Sequence, residues 1–210
     1  NSAGWNNTDV TINLTAVDNS GGSGVKELHY KLTGASLDEK TISGANAQVI
    51  ISSEGTTTLV CYSVDNAGNT ETAKSLTIKI DKTPPAIITN ITPQANANGW
   101  NNSDVTVSFT ATDALSGVAS ITQPSVVMIE GKEQNIGGEA VDLAGNRVTT
   151  YAVINLDKTP PQVSVTANPD ILWSPDRKMV PVTIGGQAID ALSGIDNTIF
   201  DVKDEYGKFQ

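Results

Sequence analysis

Carboxylates recur at fixed places in this chain. Asp18, Asp113 and Asp190 each end an alternating apolar run and precede a Ser-Gly turn. Asp65 and Asp142 each open an Asp-x-Ala-Gly-Asn turn, and Asp81 and Asp157 each open the pentapeptide Asp-Lys-Thr-Pro-Pro. Carboxylates brought to one place repel unless a cation sits among them, and a ligand set made only of oxygens suits Ca²⁺. The spacing is not that of an EF-hand loop. The competing reading is that each Asp accepts backbone N–H bonds within its own turn, as Asp commonly does. On sequence alone both stand.

Other chemistry has little to work with. His29 is the sole histidine and has no nucleophile motif beside it; its flanks, Leu28 and Tyr30, place it on a strand with its ring toward solvent. Phosphate loops, zinc spacings and paired-carboxylate clefts are missing from the sequence, so no catalytic residues and no enzyme are expected. Cys61 is the only cysteine, which rules out a disulfide within the chain and, in phase with Leu59, reads as a buried thiol. A formal net charge of −10 repels a phosphate backbone, so no nucleic-acid partner is expected. No stretch is long and apolar enough for a membrane span, and none reads as a signal peptide.

The elements that must position the aspartates are short strands. Val10–Asp18, Val105–Asp113 and Val180–Asp190 alternate apolar and polar residues, as half-buried antiparallel strands do, and the closing Asp is in phase with the buried face. This register predicts Val105, Val107, Phe109 and Ala111 inside, with Thr106, Ser108 and Thr110 outside. The runs ending at Asp65 and Asp142 repeat the pattern, and Leu76–Ile80 and Ala152–Leu156 complete each unit. Pro84-Pro85 and Pro160-Pro161 then stop pairing, because proline lacks an N–H and restricts its predecessor. The two pentapeptides lie 76 residues apart (157 − 81), which marks a repeat. Three units follow: 1–81, 82–157 and 158–210, with boundaries at Asp81–Pro85 and Asp157–Pro161.

A repeat of this size, all short strands and turns, predicts an all-β chain of immunoglobulin-like antiparallel β-sandwiches arranged end to end. In such a sandwich the loop after the second strand and the last hairpin share one end with the incoming chain. That places Asp81, Asp113 and Asp142 together as a candidate Ca²⁺ site. Asp157 with Asp190, and Asp18 with Asp65, would form partial versions.

The runs Gly4-Trp5-Asn6-Asn7-Thr8-Asp9-Val10 and Gly99-Trp100-Asn101-Asn102-Ser103-Asp104-Val105, the two Asp-x-Ala-Gly-Asn turns and both Asp-Lys-Thr-Pro-Pro linkers resemble bacterial immunoglobulin-like (Big-type) repeats. The resemblance implies a structural, spacing segment of an extracellular or cell-surface multi-domain prokaryotic protein, with the rest of that protein as its partner. It also admits an adhesive module gripping polysaccharide or protein through Trp-bearing ends. Trp5 and Trp100 read equally as plugs of the sandwich end. The third unit departs from the pattern: Trp173 to Asp190 spans 17 residues where Trp100 to Asp113 spans 13, with Ser174–Lys178 inserted. Unit one has no counterpart to the strand Ala86–Ile91, and unit three lacks its hairpin. These terminal units read as pieces of a longer protein, or as sandwiches completed by a neighbour's strand in a self-associating fibre. Asn6, Asn13, Asn90 and Asn101 fit the short glycosylation pattern, which is common by chance.

Overall fold

The computed structural model describes residues 1–168, 170 and 181–199, and among them every regular element is a β-strand. In the first repeat β1 (Val10–Thr15) pairs antiparallel with β4 (Asn46–Ile51), Val10 opposite Ile51. The facing sheet runs in the order β3 (Asp38–Ser43), β2 (Val25–Gly34), β5 (Gly55–Asp65), β6 (Lys74–Ile80). In immunoglobulin lettering these are strands B and E against C′, C, F and G. Tyr30, Leu32, Val49, Ile51, Leu59, Ile78 and Ile80 form the buried core, with Val10, Ile12, Leu14 and Cys61 packed against it. Burying each large aliphatic side chain contributes about 1.5–3 kcal/mol, so alternation along these strands fixes which face turns inward. His29 lies on the outward face of β2, half-buried because its ring stacks on Tyr62 at 4.6 Å.

The middle repeat gives two three-stranded sheets. One is β10 (Ser125–Val127), β8 (Val105–Thr112), β7 (Ala86–Thr92); the other is β12 (Arg147–Leu156), β11 (Gly131–Asp142), β9 (Val118–Ile121). These are E-B-A and G-F-C, an immunoglobulin-like strand order without strand D. Along β8, Val105, Val107 and Phe109 are buried, Thr106 and Thr110 are exposed, and Ser108 and Ala111 are half-buried. The Phe109 ring takes the place a side chain would need at residue 138: a Cβ on Gly138 would lie 2.5 Å from two of its ring carbons. The glycine is what lets the two sheets approach there.

Of the third repeat, β13 (Gln162–Asn168) and β14 (Thr183–Ile189) form an antiparallel pair with Gln162 opposite Ile189. This is the counterpart of β7 and β8. Trp173 and the insertion 174–178 lie outside the described residues.

The chain packs as two compact units. The first comprises Asn1–Asn90, Ser108–Pro124 and Gly137–Tyr151; the second comprises Ile91–Val107, Ser125–Ile136 and the chain from Ala152 onward. The division falls within the middle repeat, whose strands β8, β11 and β12 each contribute residues to both.

Candidate metal centre around Asp81

In the first unit the chain leaves β6 through a fixed exit. The Asn6 N–H donates to the Lys79 carbonyl (3.0 Å) and the Asp81 N–H donates back to the Asn6 carbonyl (2.9 Å). This parallel bridge holds the backbone of Asp81 still as it enters the linker. Beyond it, Pro84 and Pro85 offer no N–H and cannot extend the pairing.

Three carboxylates meet at that point. Asp81 is fully buried, Asp142 is 2% exposed and Asp113 is half-buried. Each offers a carboxylate oxygen within 4.8 Å of the others. Asp81 comes from the linker, Asp113 from the turn after β8, and Asp142 from the end of β11, so three separated stretches of sequence contribute.

Each carboxylate also organises backbone. Asp81 accepts from the Thr83 N–H (3.1 Å, on Oδ1) and the Ser116 N–H (2.9 Å, on Oδ2). Asp113 Oδ1 accepts from the N–H groups of Leu115 (3.2 Å) and Gly117 (2.6 Å). Asp142 Oδ1 accepts from the N–H groups of Gly145 (2.6 Å) and Asn146 (2.8 Å), and its Oδ2 from the Asn146 side-chain amide (2.8 Å). That amide also donates to the Asp81 carbonyl (2.8 Å), joining hairpin to linker. Gly117 and Gly145 sit at φ of 85° and 102°, a region that favours glycine, which explains why these turns carry it.

What the site lacks is positive charge. Among the described residues no Lys, Arg or His pairs with Asp81, Asp113 or Asp142. Nearby cations are committed elsewhere: Lys82 to Asp9 (2.6 Å) and Arg147 to Glu139 (2.7 Å). Asp113 Oδ2 accepts no hydrogen bond from the described residues. Buried charges in proteins are normally paired or bound to metal. The donor set is entirely oxygen, which fits a hard cation such as Ca²⁺ and not a thiolate- or imidazole-seeking metal.

The partial sites are placed as follows. In the second unit Asp157 accepts from the N–H groups of Thr159 (3.1 Å) and Ser193 (2.9 Å), matching Asp81 bond for bond. Asp190 accepts from the N–H groups of Leu192 (3.0 Å) and Gly194 (2.8 Å), matching Asp113. No third carboxylate joins them among the described residues. The Ser193 hydroxyl and then its amide hold the Asp157 carboxyl below the usual Asp range. In the first repeat Asp18 and Asp65 line one open cleft but each caps its own turn. The Asn69 side-chain amide, followed by its backbone N–H, lowers the pKa of Asp65.

Sequence reasoning missed the linker's second anchor. Glu54 accepts from the Lys82 N–H (2.6 Å) and the Thr83 hydroxyl (2.9 Å), and Glu130 does the same for Lys158 and Thr159. Lys82 Nζ reaches Asp9 while Lys158 Nζ reaches Asp104 (2.9 Å). A signal existed: Glu54-Gly55 and Glu130-Gly131 are 76 residues apart (130 − 54), the same period as the linkers. Trp5 and Trp100 are half-buried, each with a lysine over its ring, Lys79 and Lys132, both at 5.6 Å.

No protein-family model and no curated protein matches the chain. Among solved structures it is similar to the fibronectin(III)-like modules of Clostridium thermocellum CbhA, at 14% identity and a TM-score of 0.34. That alignment covers 72% of this chain and 88% of the other. So distant a likeness carries no argument about activity. The immunoglobulin-like, all-β architecture rests on the strand order itself.

Proposed function

We propose that this chain is a structural segment of an extended multi-domain protein, of the bacterial immunoglobulin-like surface-repeat type, working outside the cell as a spacer. Its linkers are held rigid at their entry into the next repeat, and Ca²⁺ bound by Asp81, Asp113 and Asp142 stiffens that entry. The observation that carries this reading is the two buried carboxylates, with a third beside them, that have no basic partner. Repetition supports it too: Asp157 and Glu130 repeat the linker anchoring of Asp81 and Glu54.

The bound ion would supply charge neutralisation and no catalysis. The chain's own residues do the positioning: Ser116 and Thr83 aim the Asp81 carboxylate, Leu115 and Gly117 aim Asp113, and Asn146 aims Asp142. A sugar-stacking role for Trp100 gains nothing from its half-buried, lysine-covered ring. Thermal unfolding in EDTA and in millimolar calcium tests the proposal, since a ligand that binds only the folded state raises the melting temperature. Identical melting curves would remove the metal and leave the hydrogen-bonded turns as the whole of the linker's support.

A further inference from the structure

We infer that Asn98 is a site of spontaneous deamidation, held slow by Asn96, whose isoaspartyl product loosens the linker exit at Asp157. Asn98-Gly99 is the only Asn-Gly pair in the sequence. Glycine has no Cβ to hinder its own main-chain nitrogen, so that nitrogen can approach the side-chain amide carbon of the preceding asparagine. Asn98 is exposed, and its side chain makes no hydrogen bond to a described residue.

The reaction needs only water and a base. The Gly99 nitrogen gives up its proton and attacks Asn98 Cγ. A C–N bond forms there, and the side-chain NH₂ leaves with a proton as ammonia. Water then opens the five-membered imide at one of its two carbonyls. One product is aspartate. The other is isoaspartate, in which the main chain runs through Cβ and Cγ and is longer by one methylene. Nothing is oxidised or reduced.

The loop restrains this step. Asn96 Oδ1 accepts from the N–H groups of Asn98 and Trp100 (both 3.0 Å), and the Gly99 N–H donates to the Asn96 carbonyl (2.9 Å). The attacking nitrogen's proton is therefore engaged, and the backbone on both sides of it is fixed, with Gly99 at a φ of 80°. The first unit contains the same loop. There Asn1 Oδ1 accepts from the N–H groups of Ala3 (3.0 Å) and Trp5 (3.2 Å), and the Gly4 N–H donates to the Asn1 carbonyl (3.0 Å). Alanine precedes that glycine, so the first loop carries no amide to lose.

Asn155 ties the Asn98 loop to the linker within the second unit. Its side-chain amide donates to the Gly99 carbonyl (3.1 Å), and its Oδ1 accepts from the Glu133 N–H (2.7 Å). Its main-chain carbonyl accepts from the Asn101 N–H (2.9 Å), and the Asn101 carbonyl accepts from the Asp157 N–H (2.9 Å). An added methylene just before Gly99 displaces the Gly99 carbonyl from Asn155 and the Trp100 N–H from Asn96. The bond that fixes Asp157 then loses the support of the loop. Aspartate at the same place leaves the main chain as it was.

This chemistry is independent of calcium and of the spacer reading. Folded wild type, Asn96→Ala, Asn98→Ala and Ala3→Asn are aged in mildly alkaline buffer with EDTA, beside wild type in urea. Peptide mapping by mass spectrometry follows the conversion of amide to acid. Folded wild type should convert at Asn98 more slowly than the urea sample. Asn96→Ala should convert about tenfold faster than folded wild type, the worth of one good hydrogen bond on the loop. Ala3→Asn should convert at position 3 at the wild-type pace of Asn98, because Asn1 caps that loop in the same way. Hydrogen exchange at the Asp157 amide should quicken in aged wild type and stay unchanged in aged Asn98→Ala and in fresh Asn98→Asp. No conversion at Asn98, equal rates in folded wild type and Asn96→Ala, conversion of Ala3→Asn at the pace of the urea sample, or unchanged exchange at Asp157 after ageing would each overturn the inference.

Discussion

Asp113→Asn separates a cation site from a set of turn caps. Asparagine keeps the Oδ1 acceptor for Leu115 and Gly117 and replaces Oδ2, which accepts no bond from the described residues. The turn is preserved while one charge and one metal ligand go. At 4.8 Å or less, each pair of like charges costs roughly 1 kcal/mol in water's dielectric and about 3.5 kcal/mol at an effective dielectric of 20. Half-burial of Asp113 favours the lower end, so removing its two repulsions should stabilise the calcium-free protein by about 2 kcal/mol. In calcium the sign reverses. A ligand at a hundredfold excess over its dissociation constant stabilises by about 2.7 kcal/mol, and the variant forfeits most of that. Calorimetric melting of wild type and Asp113→Asn in EDTA and in millimolar calcium should therefore cross: variant higher in EDTA, wild type higher in calcium. Equal displacement of the variant in both buffers would refute the electrostatic reasoning.

Other consequences follow from the same geometry. Gly138→Ala pushes a methyl group into the Phe109 ring and should cost about 1–3 kcal/mol, whereas Phe109→Ala alone should cost about 3–5 kcal/mol. In the Phe109→Ala background the glycine replacement should become nearly neutral in urea unfolding; additive costs would contradict the packing. Glu54→Ala removes the acceptor for Lys82 and Thr83 and should speed hydrogen exchange at the Lys82 amide by roughly tenfold, with unchanged exchange counting against the anchor. Ser193 lowers the Asp157 pKa, so this carboxylate supports the fold above the ordinary Asp value and loses that support as pH falls through its lower folded value. A carboxyl ¹³C titration should give a midpoint below that of a free Asp; one at or above it would contradict the assigned bonds.

The strands and the meeting of Asp81, Asp113 and Asp142 were legible because both follow from periodicity. Alternation sets the inward face, and a repeated order of turns sets which turns share an end. Ala111 is half-buried where strict alternation put it inside, since burial declines toward the end of β8, and Ser108, between buried Val107 and Phe109, is half-buried where alternation put it outside. Glu54 and Glu130 were not read because a single loop glutamate has no pattern within one unit; only the comparison across units reveals it. Asn1 and Asn96 were opaque for another reason: each caps its loop by accepting on Oδ1 the N–H groups two and four residues on, and composition does not encode that. Pro-Pro marks where strand pairing stops, and it does not mark where packing divides. Strands as long as β11, with 12 residues, and β12, with 10, contribute to both compact units.

Whether a cation sits among Asp81, Asp113 and Asp142 is decided by a calcium titration followed at amide resonances. Ser116, Gly117 and Asn146 donate their N–H groups to those carboxylates and would report the ion's arrival. Saturable shifts are expected at these three amides with one equivalent of calcium, lost in Asp113→Asn. Shifts that fail to saturate, or that spread over exposed acidic residues while these three stay still, would contradict the metal assignment.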